Sequence, residues 1–184
     1  MKGLILTGAL GAGKTTAQRG LVDNYGFWTP RTVVTRQVLP AETELSQVEL
    51  EAFRVGVLKG EYVLPARFGG HWYAWVSADF ETLCKPSDRC AVLNVRPYTA
   101  LVLSTIFREL TPVWLSIDEG ERARRLSARA QVRDVEQAQF TERAHSDAEE
   151  SDYEPLFHYR VLSGPGLIEA LLSVLGERTH RDGC

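Results

Sequence analysis

Apolar residues along this chain fall in short runs, separated by stretches that are either turn-forming or periodic at helical spacing. Leu4-Ile5-Leu6 is an uninterrupted run that reads as a buried strand, and Thr16 to Val22 behind it can propagate as a helix. That helix finishes over Leu21 to Phe27, with Gly26 where a C-terminal cap sits. Thr32-Val33-Val34-Thr35 is a β-branched second strand ending at Arg36. Ser46-Gln47-Val48-Glu49 has the form of a capping box, which predicts a helix of about a dozen residues running to Leu58 and stopped by Gly60. Glu61 to Leu64 and Arg67 to Val76 read as strands around a glycine turn, and Asp79 to Leu83 as a helix. Cys90 to Val95 and Pro112 to Ile117 are core strands flanking a helix over Tyr98 to Glu109. A long charged helical region follows from Asp118 through Glu150, then a last strand at Tyr159 to Leu162 and a last helix at Leu167 to Leu175. From Gly176 the tail is polar.

Strands alternating with helices predict an α/β fold: a parallel five-stranded sheet with helices on both faces, and ligands beyond the carboxyl ends of the strands. At 184 residues one such domain is expected over 1–175, with its core at about 1–35 and 86–175 and a small insertion at about 36–85. A formal net charge of −3 argues against a nucleic-acid polymer or a membrane surface as partner, while small anions need only local Lys and Arg. Strand residues begin directly after Met1-Lys2 and no apolar run is long enough to span a bilayer, so a soluble cytoplasmic protein without a signal peptide is expected. Cys84, Cys90 and Cys184 lack metal-ligand spacing and are expected as thiols without assigned chemistry.

The residues between the first strand and its helix carry the chemistry. Gly8-Ala9-Leu10-Gly11-Ala12-Gly13-Lys14-Thr15 matches the phosphate-binding P-loop (Walker A) at each fixed position and in the required strand–loop–helix context. Glycines let backbone N–H groups curl around phosphate oxygens, and the helix N-terminus adds its positive end. The expected ATP site is Gly8, Ala9, Leu10, Gly11, Ala12, Gly13, Lys14, Thr15 and Thr16, with Lys14 on the β/γ-phosphates and the Thr15 hydroxyl on Mg²⁺. The competing reading is a glycine-rich turn that holds no ligand. Downstream, Arg122, Arg124, Arg125, Arg129 and Arg133 share one helical stretch and Arg143 begins the return. Arg125 and Arg129 are four apart and project from one face, as arginines of a lid over about 122–150 would; Glu121 with Arg125 is also the i,i+4 pair of a solvated helix. No Asn-Lys-x-Asp base-reading motif of a GTPase is present.

The order of these parts resembles the guanylate kinase family and the related ribose 1,5-bisphosphate phosphokinases, from Met1 to about Leu175. Beside the P-loop, Val34-Thr35-Arg36 is similar to the family's Thr-Thr-Arg, Lys59-Gly60-Glu61-Tyr62 to its Asn-Gly-Glu-Phe, and Trp72-Tyr73 to its Tyr-Tyr-Gly. Arg125-Leu126-x-x-Arg129 is similar to the lid's Arg-Leu-x-x-Arg-Gly, with Arg143 as the later lid arginine. The resemblance implies that Arg36 and Tyr73 bind an acceptor phosphate and that Arg125, Arg129 and Arg143 act with Lys14 in transfer. Arg67 and Arg96 are further candidate anchors for the acceptor.

Leu64 and Trp75 stand where guanylate kinases place the glutamate and serine that read guanine. Leucine cannot accept the guanine N–H groups, so GMP is not the expected acceptor. Trp72, Tyr73 and Trp75 are candidates to stack on another base. Asn94 and Arg96 replace two aspartates, and Asn94 can still order a metal-bound water. The expectation is a kinase, monomer or homodimer, moving the γ-phosphoryl of ATP to a nucleoside monophosphate other than GMP. A ribose 1,5-bisphosphate phosphokinase and a non-catalytic guanylate kinase-like binding module remain alternatives.

Overall fold

In the computed structural model, residues 1–38, 42–85, 87–132 and 150–181 are described, without the side chains of 129–132 and 178–181. The chain divides into two compact units, Met1–Trp28 with Ser87–Cys184, and Thr29–Pro86.

The first unit is built on the run that the sequence leaves without a polar interruption. Strand β1 (Gly3–Gly8) is buried at all six positions, with a strand on each side and helices packed against it. It lies between β6 (Ala91–Asn94) and β7 (Leu110–Ser116), and β8 (Tyr159–Leu162) pairs with the outer side of β7. Every pairing is parallel, with Leu6 opposite Asn94 and Gly8 opposite Leu115. Helices α1 (Lys14–Tyr25) and α6 (Leu167–Arg181) cover one face, burying Leu21 and Leu171 against Leu4, Leu6, Val113 and Leu115. Helix α4 (Pro97–Ile106) contacts β1 and β7. Helix α5 (Glu119–Val132) follows β7 and is capped by Asp118, whose carboxylate accepts the Glu121 N–H at 3.1 Å.

The parallel sheet therefore has four strands among the described residues, not the five expected. Trp28 makes an isolated parallel bridge with Ala91, giving its N–H to the Cys90 carbonyl and accepting from Val92, both at 2.8 Å. A fifth strand would continue from there, but Pro30 has no N–H to donate and the ladder stops. The β-branched run assigned to that strand instead forms β2 (Thr32–Val34) in the second unit.

The second unit is a mixed sheet in the order β3 (Leu45–Gln47), β2, β5 (His71–Val76), β4 (Tyr62–Phe68), with α2 (Leu50–Leu58) and α3 (Ser77–Leu83). Strand β2 is parallel to β3 and antiparallel to β5, and Gly69-Gly70 turns the β4–β5 hairpin. Here the capping box fails: Ser46 lies in β3 opposite Val33, Glu49 holds the N-cap position without a side-chain cap, and α2 has 9 residues. Phe53 of α2 packs with Val33 and Ala74, and with the partly buried Tyr62 and Trp72. The close approach depends on Gly56, where an added Cβ would stand 2.3 Å from the Tyr62 ring. Residues 133–149, including Arg133, Arg143 and most of the expected lid, lie outside the described residues.

Candidate active site

The Gly8–Thr15 loop leaves β1 at a point where only glycine fits. Gly8 has φ 129°, and a Cβ there would meet the Leu115 carbonyl oxygen at 2.2 Å. The loop then turns into α1 through Gly13, left-handed at φ 82°, whose carbonyl accepts from Ala17 at 2.8 Å. Lys14 folds back over the loop and donates to the carbonyls of Gly8 at 2.6 Å and Ala9 at 2.9 Å. An ammonium resting on neutral carbonyls can exchange them for phosphate oxygens, which carry full charge.

Thr15 and Asn94 meet beside this loop. The Asn94 amide donates to the Thr15 hydroxyl and to Gln18 Oε1, each at 3.4 Å. No group of three or more His, Cys, Asp or Glu suited to a metal exists among the described residues. That donor set does not suit a cation caged wholly by protein. It fits Mg²⁺ carried in on a nucleotide, which takes most of its oxygens from phosphate and water and needs one protein hydroxyl.

Helix α5 covers the loop from another side. Arg122 Nε donates to the Leu10 carbonyl at 3.3 Å, and Arg125 Nη1 donates to the Gly11 carbonyl at 3.1 Å and to Ser163 Oγ at 3.0 Å. Leu126 and Arg122 sit over Gly11, with Leu126 Cδ2 3.5 Å from where its Cβ would be. Glu121 holds Arg125 Nε at 2.7 Å and also takes two bonds from Arg124 at 2.8 Å. Arg124 first and then Arg125 pull the Glu121 carboxyl down to about 2. The i,i+4 pair and the contact with the loop coexist, so the solvated-helix and ligand-facing readings of this stretch do not exclude each other. Arg129 shares the helix, four residues beyond Arg125.

In the second unit Arg36 follows β2 and is mostly buried, with a side chain 13% exposed. Its Nε donates to the Tyr73 hydroxyl at 3.1 Å, and Nη1 and Nη2 donate to Glu42 at 2.6 and 2.9 Å. Burial pulls the Arg36 guanidinium down, but the Glu42 hydrogen bond, with Tyr73, outweighs it and holds the group above its usual value. Tyr73 is opposite Val34 on β2 and Ala66 on β4, whereas Arg67 is opposite Trp72. Side chains alternate across a strand, so Arg67 lies on the other face of the sheet from Tyr73 and is not brought to Arg36. Trp72 packs on Phe53 with ring centroids 6.2 Å apart and Trp75 is buried, which leaves Tyr73 as the member of the aromatic trio that meets Arg36. Arg96 forms an ion pair with Glu150 in the first unit.

Sequence reasoning missed Glu42, Gln18 and Ser163. Glu42 and Gln18 carry no motif; Ser163 had one available signal, its place directly after a strand of the parallel sheet and before the glycines Gly164 and Gly166.

No family model matches the chain, and no curated protein does. Among solved structures it is similar to a guanylate kinase from Anaplasma phagocytophilum, at 16% identity and a TM-score of 0.66, over 98% of this chain and 85% of that one. It is also similar to a gluconokinase from Sinorhizobium meliloti 1021, at 13% identity and a TM-score of 0.50, over 98% of this chain and 94% of that one. At such identities the likeness is one of fold: an α/β architecture with a parallel sheet and helices, shared with these two kinases.

Proposed function

We propose that this protein is an ATP-dependent phosphotransferase that moves the γ-phosphoryl group, with Mg²⁺, onto the phosphate of a small acceptor, a nucleoside monophosphate other than GMP. The observation that carries the reading is the Gly8–Thr15 loop, its left-handed glycines turning it into α1 and Lys14 folded over it. The guanylate kinase and gluconokinase neighbours support phosphoryl transfer on this fold.

In this reading the loop amides and Lys14 hold the donor's phosphates, and Thr15 holds Mg²⁺ with Asn94 beside it. The bound Mg²⁺ supplies charge neutralisation on the phosphate oxygens. Arg125 exchanges the Gly11 carbonyl for the transferred group's oxygens, with Arg129 and Arg143 as further lid arginines. Arg36 and Tyr73 anchor the acceptor phosphate, while Arg67 is left out by its place on the sheet. A phosphate acceptor is already nucleophilic, so positioning and charge neutralisation carry the reaction without a general base.

Asn94, in a place where ribose 1,5-bisphosphate phosphokinases resemble this chain, favours a second reading in which the acceptor is a sugar phosphate. The deciding experiment is an ATP-consumption screen over nucleoside monophosphates, including deoxy and modified forms, and sugar phosphates. Turnover with a nucleoside monophosphate supports the first reading, and turnover with ribose 1,5-bisphosphate alone supports the second. ATP binding without transfer to any of them, together with binding of a peptide or protein, would establish a non-catalytic module.

A further inference from the structure

Glu42 has no part in the reading above, yet it makes the shortest of the hydrogen bonds to Arg36, at 2.6 Å. A guanidinium presents five N–H groups in one plane. Glu42 takes the end of that plane, with one carboxylate oxygen on Nη1 and the other on Nη2. The second Nη1 proton goes to the Gln37 carbonyl at 2.8 Å, and Nε goes to the Tyr73 hydroxyl. Among the described residues no group takes the remaining Nη2 proton, which runs parallel to Nε–H on the side edge. Because the Tyr73 oxygen accepts there, its own proton is not used in that bond.

We propose that Glu42 is a positioning residue of the acceptor site: its carboxylate clamps the end of Arg36 so that the side edge, together with the Tyr73 hydroxyl, is presented to a phosphate group. The inference rests on the reading of Arg36 as the acceptor's phosphate anchor. Both side chains are 13% exposed, so an unpaired guanidinium there would carry the cost of a buried, uncompensated charge. A carboxylate on the end edge and a phosphate on the side edge do not compete for the same N–H groups, and a guanidinium fixed in advance loses less freedom on binding.

The test follows the Arg36 Nε–H resonance of the full chain in ¹H–¹⁵N spectra during titration with inorganic phosphate, the signal being assigned by its loss in Arg36→Lys. The readout reports on the Arg36 side chain itself rather than on total phosphate binding. Wild type is expected to show a saturable shift, and Glu42→Gln to weaken phosphate binding about tenfold, the order of one charge-assisted hydrogen bond. Glu42→Asp keeps the charge and falls between the two. Thermal unfolding run alongside separates a purely structural role, which lowers the melting temperature and leaves the phosphate dissociation constant unchanged. Phosphate binding in Glu42→Gln that is as tight as in wild type, or tighter, overturns the inference while leaving Arg36 as the anchor. Absence of any phosphate-dependent shift in wild type removes Arg36 from the acceptor site, and the inference with it.

Discussion

The donor loop and the Arg36 cluster are built on opposite plans. The loop's geometry comes from backbone: left-handed glycines, a helix N-terminus and carbonyls that Lys14 and Arg125 rest upon. The Arg36 cluster is made of side chains, a guanidinium held by a carboxylate, a phenol and one carbonyl. A backbone cradle tolerates substitution of its neighbours but not of its glycines and lysine. A side-chain cluster depends on every partner, because each one left buried and unpaired costs more than the bond it made.

The comparison is broken most directly at Lys14. Lys14→Ala removes the cation that follows charge onto the transferred group, and a fall in kcat of roughly 10³-fold is expected, with the melting temperature nearly unchanged. Steady-state turnover beside thermal unfolding checks both halves. Arg36→Ala should act differently, raising the acceptor KM by roughly 10²-fold and leaving the ATP KM alone. Equal effects on the two substrates would show that the plans are not separate.

The same contrast explains what could be read from the chain. The loop was legible because its function-bearing atoms are consecutive in sequence, and its type is set by spacing alone. The Arg36–Tyr73 contact joins positions 37 apart and could be expected only through a family resemblance, and Glu42 not at all. The three buried strands β1, β6 and β7 were legible as apolar runs, although they carry no sign of their partners. The run Thr32–Val34 therefore went to the wrong sheet, its place being decided by Pro30 before it and by pairing with β5 after it. Ser46-x-x-Glu49 failed for a related reason: the strand pairing of Ser46 with Val33 outweighed a local capping preference.

The scaffold of the second unit can be loosened without touching Arg36. Gly56→Ala places a methyl 2.3 Å from the Tyr62 ring, which must move out of its packing with Phe53. Overpacking costs about 1–3 kcal/mol, and the better helix propensity of alanine returns about 1, so a net loss of about 1 kcal/mol is expected. Urea unfolding measures it. A rise in the acceptor KM with no change in ATP affinity would extend the contrast to the scaffold, and a more stable variant would show the Tyr62 ring to be freely displaceable.

The smallest expected effect lies at Glu121, where the donor loop depends on side chains after all. Its carboxyl is held at about 2 by Arg124 and Arg125, below the roughly 4.3 of a free glutamate. Between these values the unfolded chain binds the proton and the folded chain does not, so this group's contribution is fully present above about pH 4.3 and is lost as the pH falls towards 2. Glu121→Gln removes that dependence, and the melting temperature should fall less steeply with acid across this window in the variant than in wild type. Because the carboxylate is still partly open to solvent, with a side chain 29% exposed, added salt should shrink the difference. Parallel slopes would mean that Arg125 is held on the Gly11 carbonyl and Ser163 without help from Glu121, which would leave the donor side with a backbone plan throughout.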